Sequence, residues 1–121
     1  MEFVGKETSN IYATVHYAID SKHRSDGGKL ATATPSADFH VYACEWDSDR
    51  IDFYFDNQKY HTVLVDKAGT GAANPFRKPH YLLINFALGG TWGGPIDDTV
   101  LPQKFLIDYV RIYSSAPNHP K

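Results

Sequence analysis

The chain has 121 residues, 42% hydrophobic and 14% aromatic, which sets a single domain with a modest core and excludes a disordered polypeptide. Twelve Lys and Arg against fourteen Asp and Glu give a net charge of -2 with neither sign gathered into runs, so neither nucleic acid nor an anionic membrane is an expected partner. Cys44 is the single cysteine, so no intrachain disulfide is expected, and the opening MEFVGKETSN carries no apolar signal-peptide core.

In chain order, Asn10 to Tyr17 alternates cleanly, with Ile11, Ala13, Val15 and Tyr17 on one face and Tyr12, Thr14 and His16 on the other, which predicts a half-buried strand. Residues 21–36 are rich in Ser, Lys, Gly and Thr and end near Pro35, which predicts a surface loop with at most a short edge strand. Phe39 to Asp47 predicts a strand covered on both sides, since both of its faces are largely apolar. Cys44 would be a buried, inert thiol there rather than a nucleophile. Ile51 to Asp56 follows with Ile51, Phe53 and Phe55 inward and Asp52, Tyr54 and Asp56 outward. Asp56-Asn57-Gln58-Lys59 reads as a hairpin turn, and Tyr60 to Val65 as the returning strand.

After a glycine-containing loop over residues 67–78, the apolar run Tyr81 to Leu88 predicts a buried strand bounded by Pro79 and by Gly89-Gly90. Asn85 brings one amide to an otherwise apolar surface and would need partners. Beyond it, Trp92 stands among four glycines, an indole with little steric shielding. An amide and an open indole suit a sugar, the one by hydrogen bonding and the other by stacking; core strand plus turn is the alternative. A long loop then leads to a last predicted strand, Lys104 to Tyr113, and the tail 114–121 is expected to be disordered. Short strands separated by Gly and Pro turns, with no helical periodicity, predict an all-β antiparallel sandwich.

Few constellations carry chemistry by themselves. The six histidines and one cysteine do not fall at zinc-ligand spacings. Asp97-Asp98 is either a solvated pair or a cation site. Asp108, inside FLIDYVRIY, has to be exposed, metal-bound or paired, with Arg111 the nearest cation in sequence.

Three segments, residues 38–63, 74–95 and 101–113, resemble in order and spacing the C-terminal half of glycoside hydrolase family 16, most closely its laminarinase-type endo-β-1,3-glucanases. The combination of INFALGGTW with the later IDYVRIY carries most of that resemblance. It implies a β-jelly roll of two stacked antiparallel sheets, with residues 1–113 the C-terminal part of one domain and about half of a complete one. It also implies retaining hydrolysis of internal β-1,3 bonds in a β-glucan polysaccharide or oligosaccharide, and a secreted protein.

The family signature E-x-D-x-x-E is followed by a segment like YVG and a strand ending in THY or VHY; here the chain opens MEFVGKETSNIYATVHY. The resemblance therefore matches Glu2 to the acid/base, Met1 to an inserted residue, and places the nucleophile before residue 1. His16, Asn85, Trp92 and Trp46 match substrate-binding positions, Trp46 being core or cleft. Asp108 matches a ligand of a structural calcium, and the chemistry needs no cofactor. A retaining glycosidase works with two carboxyl groups about 5–5.5 Å apart, so these residues alone are expected to be inactive. A non-catalytic β-glucan-binding module or an inactive fragment is the alternative. Half a sandwich exposes strand edges and an apolar face, which implies a homodimer or a complementing N-terminal half.

Overall fold

The structure is a computed structural model and describes residues 1–33 and 35–114. Six strands form two antiparallel sheets. The first holds β1 (Glu2–Phe3), β2 (Asn10–Ile19) and β3 (Lys22–Ala31), and the second β4 (Tyr42–Trp46), β5 (Arg50–Phe55) and β6 (Gln58–Leu64). Strand order follows chain order in both sheets. The predicted all-β antiparallel class is therefore the observed one.

The alternation of β2 does what its pattern predicts. Ile11 and Ala13 are fully buried and Val15 nearly so, and Ala13 and Val15 share the core with Ile51, Phe53 and Val63 of the other sheet and with Val65 just beyond it. Each Val, Ile or Phe side chain among them contributes about 1.5–3 kcal/mol when removed from water. In β5 the register changes from Phe53↔His61 to Tyr54↔Lys59, so Tyr60 is the extra residue of a bulge, and its ring packs against the core beside Tyr17. The predicted hairpin forms, but its turn is the two residues Asp56-Asn57 between the paired Phe55 and Gln58, so β6 starts two residues before Tyr60, and Asp56 takes a positive φ of 52°. Asp56 accepts from Val41 N–H at 3.0 Å and pairs with His40 at 3.0 Å, so its side chain also ties down the approach to β4.

Four expectations are corrected. Residues 22–31 are a full ten-residue strand, β3, rather than a loop. The turn before it places Asp20 and Ser21 at φ 51° and 59°, the primed geometry whose twist suits a tight hairpin, and β2 supplies a ladder partner that the polar sequence does not advertise. Strand β4 is open on one side: Tyr42, Trp46 and Cys44 are exposed. Apolar neighbours still push the Cys44 thiol upward by desolvation. Asp52, placed outward by alternation, is 1% exposed. Arg50 Nε at 3.0 Å, Lys59 Nζ at 3.4 Å and the Thr62 hydroxyl all reach its carboxylate and cover it, and the Thr62 hydrogen bond is the first cause of its lowered pKa.

The fourth correction concerns residues 81–88 and 104–113, which form no strand and stay in solvent, with Tyr81 at 86%, Leu83 at 73% and Ile112 at 82% exposure. A strand exists only where its N–H and C=O groups meet a neighbour's, and among the described residues no ladder reaches either segment. The predicted disordered tail lies, apart from Ser114, outside the described residues.

Polar contacts tie the two sheets together: the Tyr60 hydroxyl of β6 donates to the Tyr12 carbonyl of β2 at 3.4 Å, and a carboxylate of β3 gathers two basic side chains. Asp26 of β3 pairs with His61 Nε2 of β6 at 3.1 Å and with Lys67 Nζ. Gly28 makes the approach possible, since a Cβ there would stand 2.7 Å from the His61 ring. The Lys67 hydrogen bond is the main reason that Asp26 titrates below the usual carboxylate range. After β6 the chain runs through three 3-10 turns, Val65–Ala68, Gly71–Ala73 and Pro75–Arg77. Asn74 organises them from within: it is 1% exposed, donates to the carbonyls of Val65 and Gly69, and accepts from Phe76 N–H.

Candidate functional site

Strand β1 is only two residues long, and its register sets Glu2 opposite Tyr12 and Phe3 opposite Ile11. Directly opposed residues share a face with side chains about 4.5–5.5 Å apart. Glu2 therefore lies on the even face of β2 with Tyr12, Thr14 and His16, away from the core.

A cavity of about 930 Å³ opens beside β1 and brings together Glu2, Asn85 and Trp92, with Asp97, Lys6 and Ile96 on its wall. Trp92 sits in a one-turn helix, α1 (Gly90–Gly93), flanked by Gly89 at φ 71° and Gly94 at φ 89°. Those angles suit glycine, and they fold the loop back towards the Ile96 side chain. The indole is 40% exposed and meets the Tyr12 ring edge-to-face, with centroids 5.0 Å apart at 77°. The Tyr12 hydroxyl donates to the Glu7 carboxylate, which is the main cause of its raised pKa.

Asp97 is the second carboxylate on the cavity wall. It accepts from Thr99 N–H at 2.9 Å and from the Thr99 hydroxyl at 2.6 Å, and these bonds hold its pKa below the ordinary value. Its Oδ1 thus caps a 3-10 turn, Asp98–Val100.

The remaining predicted residues lie elsewhere. His16 shares the Glu2 face of β2 but is further along the strand, where its Nδ1 stands 3.0 Å from His23 Nε2. Trp46 packs edge-to-face on His80 at 4.8 Å and lines a second, wider cavity of about 2010 Å³ together with Asp108, Tyr109 and Phe105. Asn85 borders both cavities. Arg111 does not pair with Asp108; its guanidinium lies 4.3 Å from the Tyr109 ring centre. Among the described residues no group of three or more His, Cys, Asp or Glu gathers.

Of the five residues expected to meet substrate, Glu2, Asn85 and Trp92 line one cavity, while His16 and Trp46 do not; Tyr12 is not among the five, and Asp97 enters only with Asp98 as a solvated pair or cation site. Tyr12 was legible only as a polar-face residue, because its link to Trp92 spans 80 positions (92 − 12) of the sequence.

An antiparallel β-sandwich with a carboxylate, an amide and a half-open indole on one cavity wall has the parts of a protein that handles carbohydrate. The profile of the glycosyl hydrolases family 16 matches residues 1–111, and the chain belongs to that family. It is 34% identical over 121 residues to the beta-glucanase of Rhodothermus marinus, covering 93% of this chain and 42% of that protein. To the glucan endo-1,3-beta-glucosidase A1 of Niallia circulans it is 31% identical over 124 aligned positions, covering 93% of this chain and 18% of that one. A solved structure reported among endo-acting O-glycanases of the human gut microbiota is similar at 30% identity with a TM-score of 0.56, over 63% of this chain and 29% of its own. The chain thus spans less than half the length of each of these proteins.

Proposed function

We propose that the chain is the C-terminal part, over residues 1–113, of a laminarinase-type domain that hydrolyses internal β-1,3 bonds of a β-glucan with retention. Glu2 is its acid/base, while Asn85 and Trp92 contact sugar near it. His16 and Trp46 extend the binding surface, and the protein works outside the cell. The observation that carries this reading is the cavity that gathers Glu2, Asn85 and Trp92, three residues drawn from distant parts of the chain. The glucanase names of the relatives support the substrate class.

In a retaining mechanism one carboxylate attacks the anomeric carbon while the other protonates the departing glycosidic oxygen, then takes the proton back from water. Glu2 would perform the second role. Asp97 Oδ1 is taken by the Thr99 N–H and hydroxyl, which ties that carboxylate to its turn. In this reading the nucleophile is supplied by a complementing N-terminal segment. A structural calcium at Asp108 would likewise need oxygens from such a segment.

The test is reducing-end release from β-1,3-glucan by the purified chain, run beside Glu2→Gln. No release by the chain alone, and release dependent on Glu2 once the complementing half is supplied, is the expected result. Release that survives Glu2→Gln would sink the acid/base assignment. Binding of glucan without hydrolysis in every combination would make the protein a binding module.

A further inference from the structure

The glycines around Trp92 create a problem that another residue must solve. Gly89, Gly90, Gly93 and Gly94 leave the loop little steric restraint, and three of them adopt positive φ. A stacking ring is useful only if its angle is fixed before sugar arrives, since ordering it on binding costs affinity. Tyr12 is placed to fix it. Its backbone is held on both sides, by β1 at Glu2 and by β3 at Lys29. Its hydroxyl is tethered by Glu7, and its ring presses against the indole at 5.0 Å and 77°.

We propose that Tyr12 is a positioning residue: tethered to Glu7, it sets the angle at which Trp92 faces the Glu2 end of the cavity and thereby orients a β-linked glucose unit there. The sugar half of this statement rests on the glucanase reading above; the Tyr12–Trp92 half does not. An edge-to-face pair is also adjustable in a way that a covalent link is not, so Phe at position 12 would keep the contact and lose the tether. The hydrogen bond to Glu7 raises the pKa of the Tyr12 phenol above its ordinary value, which favours the donating form.

The experiment isolates the Trp92 signal in a Trp46→Phe background, the protein having two tryptophans. Near-ultraviolet circular dichroism and acrylamide quenching are recorded without ligand, well below the unfolding midpoint, for Tyr12, Tyr12→Phe and Tyr12→Leu. Loss of the Trp92 band and easier quenching in Tyr12→Leu, with an intermediate change in Tyr12→Phe, is expected. Binding of laminari-oligosaccharide to the chain with Trp46 intact is then measured by calorimetry, where Tyr12→Leu should weaken affinity about two- to tenfold and Tyr12→Phe by less.

An unchanged Trp92 signal in Tyr12→Leu overturns the proposal, as does a changed signal with unchanged sugar affinity. If the unsubstituted chain takes up no oligosaccharide, the glucan reading fails by itself, and the ligand-free spectra still decide whether Tyr12 holds Trp92.

Discussion

Residues 79–113 are richer than residues 2–77 in the apolar residues that make strands, yet among the described residues only the earlier region makes them. In the earlier region, Ile11, Ala13, Val63 and Val65 are completely buried; in the later one, Leu82, Phe86, Phe105 and Val110 are each at least half exposed. Composition alone would favour the later region. What separates them is a neighbour: β2 and β5 each have a paired strand on both sides and a second sheet across the core, while the later segments have a cavity on one side and solvent on the other. Apolar patterning states which face a strand would bury, and pairing decides whether it becomes a strand at all.

The contrast is testable by substitution. Phe53→Ala, in the core at 6% exposure, should cost about 3–5 kcal/mol in urea unfolding, whereas Leu83→Ser should stay within about 0.5 kcal/mol. A Leu83→Ser cost near that of Phe53→Ala would show that the later region is covered in solution. Size-exclusion chromatography of both variants would then say whether a second copy covers it.

Next in size is Asn74→Ala. It strips partners from the Val65 and Gly69 carbonyls and from Phe76 N–H, so about 1–3 kcal/mol should be lost. Asn74→Asp should recover only the acceptor role. Hydrogen exchange at Phe76 N–H checks the assignment, since that amide should exchange faster in Asn74→Ala and stay slow in Asn74→Asp.

Gly28→Ala follows, at about 1–3 kcal/mol, because the added methyl group meets the His61 ring. A double-mutant cycle with His61→Ala should return most of that loss. Absence of coupling would mean that the sheets are not held where these residues place them.

The smallest effect is on pH. Asp26 is held below its ordinary pKa chiefly by Lys67, so its contribution is complete above the unfolded carboxylate value near 3.8 and is lost as pH falls through the depressed folded value. Lys67, raised by the same bond, contributes until pH rises through its own elevated pKa. Asp26→Asn should therefore flatten the acid limb of the stability curve, and an unaltered acid limb would place the Asp26–Lys67 pair apart in solution.

The sequence made β2 and the β5–β6 hairpin plain because their patterning and their environment agree. Strand β3 was hidden: KHRSDGGKLA looks like a loop, and Asp20-Ser21 lacks the Asn-Gly or Asp-Gly signal of a primed turn. Asp52 was misplaced because alternation predicts a face and not what three neighbouring side chains lay over it. In the candidate site, the link between Glu2, Asn85 and Trp92 came from family resemblance, since no local pattern joins them. Tyr12 could be found only in three dimensions.

The order of strands in each sheet bears on how the molecule assembles. Each sheet is a meander of consecutive strands, so its pairings join residues close in sequence, and closing such short loops costs little chain entropy. The slow event should be the docking of two preformed meanders, which joins Val15 to partners as distant as Val63. Val15→Ala should then slow refolding more than a change of similar stability cost confined to one hairpin, and stopped-flow kinetics would read this as a higher φ-value at the sheet interface than at either turn.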